Sequence, residues 1–345
     1  MTRKKGQTNK LLKGLLLTVV LAILLSFIKL PFYVTKPGLA TELGPIVEVE
    51  DGYNEQGSFS LTTVSFGRAN IFSYAWAYVN KYHTIHPENE IKQAEESDDE
   101  YMMRQLHMME ASQEDAIALA YKKADKQVDL SYNGVYVLSI IEGMPASKQL
   151  KVGDRIYEVD GKPFTTSEEF IDVVSKKKEG DSVSIKFKRE NEGSEVTLPV
   201  TDFPDNPDKV GIGIALVTDK EVKVEPDIKL DTNNIGGPSA GLMMSLEIYN
   251  QLIEKDLTSG YKIAGTGTIT PDGKVGPIGG IEQKIVAADR AEVDIFFAPN
   301  EQGRDKSNYK MAVKTAEDIK TDMKIVPVDT FEDAVDYLEK VEKKS

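Results

Sequence analysis

The chain has 345 residues, 40% of them hydrophobic, which is enough to fill the cores of roughly two or three ordinary domains. A net charge of −14 excludes a nucleic-acid binder that relies on clustered Lys and Arg against phosphate. The absence of cysteine removes disulfides, thiolate metal sites and a thiol nucleophile together.

The amino terminus, M-T-R-K-K-G-Q-T-N-K, is polar and basic. Leu11 to Val34 then reads as a transmembrane helix, with an uninterrupted apolar core from Leu15 to Ile28. Roughly 20 residues of helix span a bilayer. Lys13 and Lys29 can snorkel to headgroups, and Phe32 and Tyr33 suit an interface. A cleaved signal peptide is the rival reading, but Lys, Leu, Pro, Phe and Tyr after Ile28 make a poor cleavage site. The expectation is one retained span. Arg3, Lys4, Lys5, Lys10 and Lys13 would hold residues 1–10 in the cytoplasm, with everything after Val34 outside the cell membrane.

Residues 37–66 read as strands around the turn-rich D-G-Y-N-E-Q-G. Residues 69–81 read as a buried or amphipathic helix, Glu95 to Glu100 as a solvated acidic run, and 101–125 as helix. From Gly134 to Val200 the order is strand, short helix, strand, D-G hairpin turn, capped helix and a final hairpin. With its M-P-A-S…L-K-V-G-D-R-I-Y-E-V-D-G-K-P run, this stretch resembles a PDZ domain of the bacterial type, placed at 126–202. The resemblance implies capture of an extended peptide as an added strand. It also implies that the loop containing Asn133, Gly134, Val135 and Tyr136 meets the peptide's end. A small β-rich domain with a structural role only is the bland alternative.

T-D-F-P-D-N-P-D, Thr201 to Asp208, is a connector. Beyond it the pattern is α/β: strands at V-G-I-G-I-A-L-V and P-D-I-K-L-D-T, and a helix over 239–254. A strand–turn–strand and a helix over 281–290 follow, then two more strands and a terminal amphipathic helix.

I-G-G-P-S-A-G, Ile235 to Gly241, contains G-x-S-x-G. Pro238 suits a first helical turn, and Gly236 and Gly237 permit close backbone approach. A helix start offers free N–H groups and partial positive charge, which suits a developing oxyanion. Ser239 is thus a candidate nucleophile, or merely a helix cap. The α/β-hydrolase order of Ser, acid and His fails, because His83, His86 and His107 all precede Ser239. The His83/His86 pair lacks a clear third ligand and reads as polar surface.

A lysine freed of its proton by burial can replace histidine. In G-G-I-E-Q-K-I-V-A-A-D-R, helical spacing places Lys284 on an apolar stripe with Ile281, Ile285 and Ala288. G-P-S-A-G, followed 45 residues later by this Lys, resembles the proteolytic domain of the Lon peptidases. The intervening G-T-G-T-I-T-P-D-G-K-V-G-P-I-G-G, the later A-P-N-E-Q and V-P-V-D-T-F-E-D-A carry the same resemblance over roughly 210–340. It implies a Ser239–Lys284 dyad, a Thr266 that hydrogen-bonds the lysine, and an oxyanion site at the N–H groups near Ser239 and Ala240. The early P-G-L-A-T-E-L-G-P-I-V-E-V…G-S-F-S-L-T-T-V looks like the opening strands of the same domain. Residues 37–125 would then be its first part and 203–345 the rest, with the PDZ domain inserted between.

Gly236 stands where many Lon enzymes have an acid, so no acidic tuning is implied. No G-x-x-x-x-G-K-[S/T] occurs, hence no ATP site. The whole arrangement resembles the membrane-anchored PDZ–Lon proteases of Gram-positive bacteria. The expected fold is an α/β (α+β) Lon-type proteolytic domain plus a small β-rich PDZ domain behind a transmembrane helix. The resemblance implies an ATP-independent extracytoplasmic serine endopeptidase for peptides or flexible exported proteins, with processing of a secreted signalling peptide as one such task. It implies no cofactor and no metal, and assembly of several copies. The alternatives are an inactive PDZ adaptor and a general quality-control protease.

Overall fold

A computed structural model describes residues 3–92, 96–190, 192–204, 206–232 and 235–344, with side chains from residue 12 onward. The basic side chains Arg3 to Lys10, expected to set orientation, and Glu95 of the acidic run lie outside it.

Helix α1 (Arg3–Ser26) opens the chain. Among the described residues no helix is long and apolar enough to cross a membrane. The segment read as one span to Val34 divides: after α1, the chain enters strand β1 (Lys29–Glu42). Pro31 cannot donate an intrahelical hydrogen bond, which favours the break. Phe32, Tyr33 and Val34 therefore belong to a sheet rather than to a membrane interface, and Tyr33 and Val34 are buried there.

β1 pairs antiparallel with β2 (Ser58–Asn70). Helix α2 (Ile71–Val79) follows, its first turn closed by a capping box between Asn70 and Ser73. β3 (Thr84–Pro87) returns to pair with the other edge of β1. Helix α3 (Asp98–Lys123) starts on a second capping box, Ser97 with Glu100.

The next unit is a small antiparallel sheet. Its strands are β4 (Gln127–Ile140), β5 (Arg155–Val159), β6 (Ser182–Arg189), β7 (Glu192–Pro199) and β8 (Ile214–Glu225). Helix α4 (Ser167–Ser175), capped by Thr166, covers one face. The strand order is β8-β4-β5-β6-β7. Val135, Val137, Ile156, Phe170, Val174, Val183 and Ile185 form its core. The V-G-I-G-I-A-L-V segment, expected to open the C-terminal domain, instead contributes β8 to this sheet. It pairs with β4 from Ile214↔Ile140 to Glu225↔Gln127.

The remaining elements are α5 (Gly241–Leu252), β9 (Lys262–Gly265), α6 (Ile281–Arg290), β10 (Ile295–Pro299), α7 (Asn308–Ile319), β11 (Lys324–Val328) and α8 (Phe331–Leu338). They join the first strands in one sheet of order β11-β10-β9-β2-β1-β3. The junction is the parallel pair β2–β9, from Ser58↔Lys262 to Leu61↔Gly265. Strands on both sides of the small unit in sequence thus build a single sheet.

Alternation along its strands fills two cores. On one face Phe59, Leu61, Ile263 and Phe297 pack against α3, α5 and α8 through Met109, Leu242, Leu246 and Phe331. On the other, Ala264 and Phe296 pack against α6 and α7 through Ile281, Ile285 and Ala312. Helices from opposite faces can therefore meet only beyond the strand ends.

Candidate active site

That meeting point lies just past β9, where an open α/β sheet generally places its ligands. Thr266 and Gly267 follow Gly265 there. The N–H of Gly267 donates to the Ser239 carbonyl at 2.9 Å, and the N–H of Leu242 donates to the Gly267 carbonyl at 3.1 Å. These bonds tie the Ser239 turn to the sheet.

The turn itself is shaped by glycine. Gly237 sits at φ 86°, ψ 151°, a region that side chains rarely adopt. Pro238–Ala240 then forms a short 3-10 turn that runs into α5. Ser239 and Ala240 thus occupy a helix start, where N–H groups precede the first intrahelical acceptors. Helix α3 braces the same turn. The N–H of Gly237 donates to the Gln105 carbonyl at 2.8 Å, and the Ser112 hydroxyl donates to the Pro238 carbonyl at 3.1 Å.

Lys284 reaches the turn from the opposite face. It is 2% exposed and shares the inner side of α6 with Ile281, Ile285 and Ala288, as its spacing predicts. Its Nζ lies 2.7 Å from Ser239 Oγ and 2.8 Å from Thr266 Oγ1. Burial pushes its pKa from 10.5 down to about 7. The Thr266 hydroxyl spends its proton on the Ser239 carbonyl at 3.0 Å. Its oxygen must then accept from Lys284, which leaves the lone pair of a neutral amine free to face Ser239.

Ser239 is half-buried, on the wall of a cavity of about 510 Å³ that also includes Leu61, Thr63, Gln105, Met109 and Ile278. The cavity opens into a second one of about 810 Å³ through shared residues such as Val64, Gln105 and Gly279. None of the three histidines lines the Ser239 cavity. His86 faces the second cavity, and His107 stacks on Tyr136 with ring centres 4.3 Å apart.

The comparisons with known proteins fit this geometry. Residues 220–340 match the Lon protease (S16) C-terminal proteolytic domain, and residues 123–200 match the PDZ domain family. The chain thus carries a Lon-type proteolytic domain and a PDZ domain. Over 171 residues it is 28% identical to the Lon protease of Mycoplasma mobile, covering 42% of this chain and 20% of that protein. Over 100 residues it is 37% identical to the Lon protease of Campylobacter concisus, covering 29% and 11%. The chain thus spans a fifth or less of the length of these relatives. The PDZ domain of an SdrC-like protein from Listeria innocua is 44% identical, covering 24% of this chain and 92% of that domain, with a TM-score of 0.23.

The PDZ residues expected to meet a peptide's end lie in a strand that is paired on both sides and offers no open edge. Gly134, Val135 and Tyr136 lie inside β4, opposite Asp219, Thr218 and Val217 of β8. Val135 and Tyr136 also pair with β5, and Asn133 sits in the adjoining bulge. With both edges occupied, no strand can be added. Gly134 is needed for a different reason: a Cβ there would stand 2.1 Å from the Ile156 carbonyl oxygen. The edge strands of this sheet are β7 and, alongside α4, β8. Beside it a cavity of about 710 Å³ is lined by Phe170, Ile171 and Val174 of α4 and by Ile212, Ile214 and Leu216.

Sequence reading also missed Gln105, Ser112 and Gly267. The first two sit on a helix far upstream with no motif, and their role arises only when α3 crosses the Ser239 turn.

Proposed function

We propose that the protein is an ATP-independent serine endopeptidase, anchored at a membrane by its amino-terminal helix and acting outside the cytoplasm. The observation that carries the enzymatic reading is the buried Lys284 amine within hydrogen-bond reach of both Ser239 and Thr266. Ser239 Oγ attacks the scissile carbonyl carbon and its proton passes to Lys284 Nζ. N–H groups at the Ser239–Ala240 turn hold the oxyanion. As the C–N bond breaks, Lys284 returns the proton to the leaving amine. Water then attacks the acyl-enzyme with Lys284 again as base, releasing the acid and restoring Ser239. Thr266 holds the lysine in place.

The PDZ domain presents the substrate. An extended segment adds to the edge of β8 with apolar side chains against Phe170 and Val174. Helix α3 connects that domain to the turn, since Asp115 pairs with Lys220 of β8 while Gln105 and Ser112 hold Gly237 and Pro238. Substrates are peptides or flexible segments of exported proteins, a secreted signalling peptide among them. The exposed leucines of α1 support the anchor.

The test is cleavage of unstructured peptides by the full chain in phosphatidylcholine vesicles, with cut sites read by mass spectrometry. Wild type should cut, whereas folded Ser239→Ala and Lys284→Ala should not. Equal cutting by all three would remove Ser239 from the reaction.

A further inference from the structure

Helix α2, I-F-S-Y-A-W-A-Y-V, contains no charged residue. Its inner side, with Tyr74 and Ala77, packs against Leu30, Phe32, Val34 and Ile85. Its outer side is just as apolar. Phe72, Ala75, Trp76 and Val79 recur at the spacing of one helical face and are all exposed, with Trp76 at 62%. Tyr78 adds an aromatic ring beside them. A helix that is apolar on every side belongs in a protein core or in lipid.

Its position points to lipid. Lys29 at the start of β1 pairs with Asn70 at the end of β2, so α1 and α2 leave the sheet at the same corner. Asn70 caps α2 by accepting from the Ser73 N–H at 2.8 Å, and its Nδ2 donates to the Ser26 carbonyl at 3.2 Å. One side chain thus joins the first turn of α2 to the last residue of α1. The large apolar side chains of α1 from Leu12 to Leu24 are exposed, as is the outer side of α2. Trp and Tyr are the residues that favour the boundary between headgroups and acyl chains.

We propose that α2 lies in the membrane interface as a second, non-spanning contact, with Phe72, Trp76 and Val79 inserted among the lipids. This rests on the reading of α1 as a membrane anchor. The contact would hold the catalytic sheet against the bilayer. Since α2 has no charge, it would not require anionic lipid.

The chain has one tryptophan, so Trp76 fluorescence reports this site directly. The experiment places the full chain in phosphatidylcholine vesicles and separates bound protein by flotation. Emission is then measured with brominated acyl chains and, separately, with aqueous iodide. The expected result is strong quenching by the brominated lipid and protection from iodide. A Phe72→Ser/Val79→Ser variant should still float through α1 but lose most of the bromolipid quenching. Floating protein quenched by iodide alone would overturn the α2 contact while leaving the anchor standing. Floating protein quenched by neither would assign the face to a second protein copy, and would overturn it too. Protein that does not float would overturn both the anchor and this inference.

Discussion

The N–H of Gly237 donates to the carbonyl of Gln105 at 2.8 Å, although the two residues lie on opposite sides of the PDZ domain in sequence. The bond holds the glycine where the Ser239 turn needs it. Gly237→Ala should be costly, because a side chain at φ 86°, ψ 151° is strained by about 1–3 kcal/mol and its Cβ would meet Gln105 Oε1. We expect a lower melting temperature and a larger proportional loss in kcat than in substrate binding. Thermal unfolding beside a kcat and KM determination checks this.

Cleavage should depend on the charge of Lys284. With a pKa near 7, the amine is protonated and unable to act as base below neutrality. kcat/KM should rise with pH and level off above about 8. A flat profile from about pH 6 to about 10 for a folded enzyme would remove Lys284 as the base.

The same burial costs stability. The folded pKa lies below the unfolded value of 10.5, so between about 7 and 10.5 the unfolded chain binds a proton that the folded chain has lost. Wild-type stability should therefore gain from this group as pH rises through that window, with the full penalty present below it. The interval corresponds to about 5 kcal/mol at 1.36 kcal/mol per pH unit, less the two hydrogen bonds. Lys284→Met should thus be inactive yet more stable than wild type at pH 7. Denaturant titrations should show the difference shrinking toward pH 10.5. A variant less stable than wild type at pH 7 would contradict this.

Thr266→Val keeps the shape of the side chain but removes the oxygen that accepts from Lys284 and the proton given to Ser239. A lost buried hydrogen bond of about 1–3 kcal/mol predicts a fall of roughly 10- to 100-fold in kcat/KM. Thr266→Ser should retain most of the activity. Steady-state kinetics of the two variants separate this positioning role from simple packing.

A carboxyl pair joins buried Glu247, eight residues beyond Ser239, to half-buried Glu55. Glu247 on α5 is fully buried, and its Oε2 has no hydrogen-bond partner among the described residues. Burial raises it and its neighbour Glu55 well above the usual carboxylate range. The folded chain therefore holds protons that the unfolded chain releases, and stability falls as pH rises from the carboxylate range toward neutrality. Glu247→Gln should flatten that fall, as read from melting temperatures at pH 5 and 8. An unchanged slope would show that the pair does not drive it.

The candidate pair Ser239 and Lys284 was legible because each half is signalled locally. A glycine-rich helix start and a lysine at the apolar spacing of a helix each declare themselves within a dozen residues. The PDZ repeat of strands and turns is likewise carried by short-range pattern. What the pattern could not show was which edges remain open. Gly134 to Tyr136 read as a binding loop until β8 and β5 occupied both sides of β4. The apolar run to Val34 read as one span, because hydrophobicity alone does not distinguish a helix facing lipid from a strand packed in a sheet. The bracing of Gly237 and Pro238 by α3 was likewise invisible. Sequence by itself determined the candidate side chains and the local elements that carry them. Tertiary structure decided who meets whom, because the contacts among Ser239, Thr266 and Lys284, the pairing of β4 with β8 and the corner shared by α1 and α2 join segments distant along the chain.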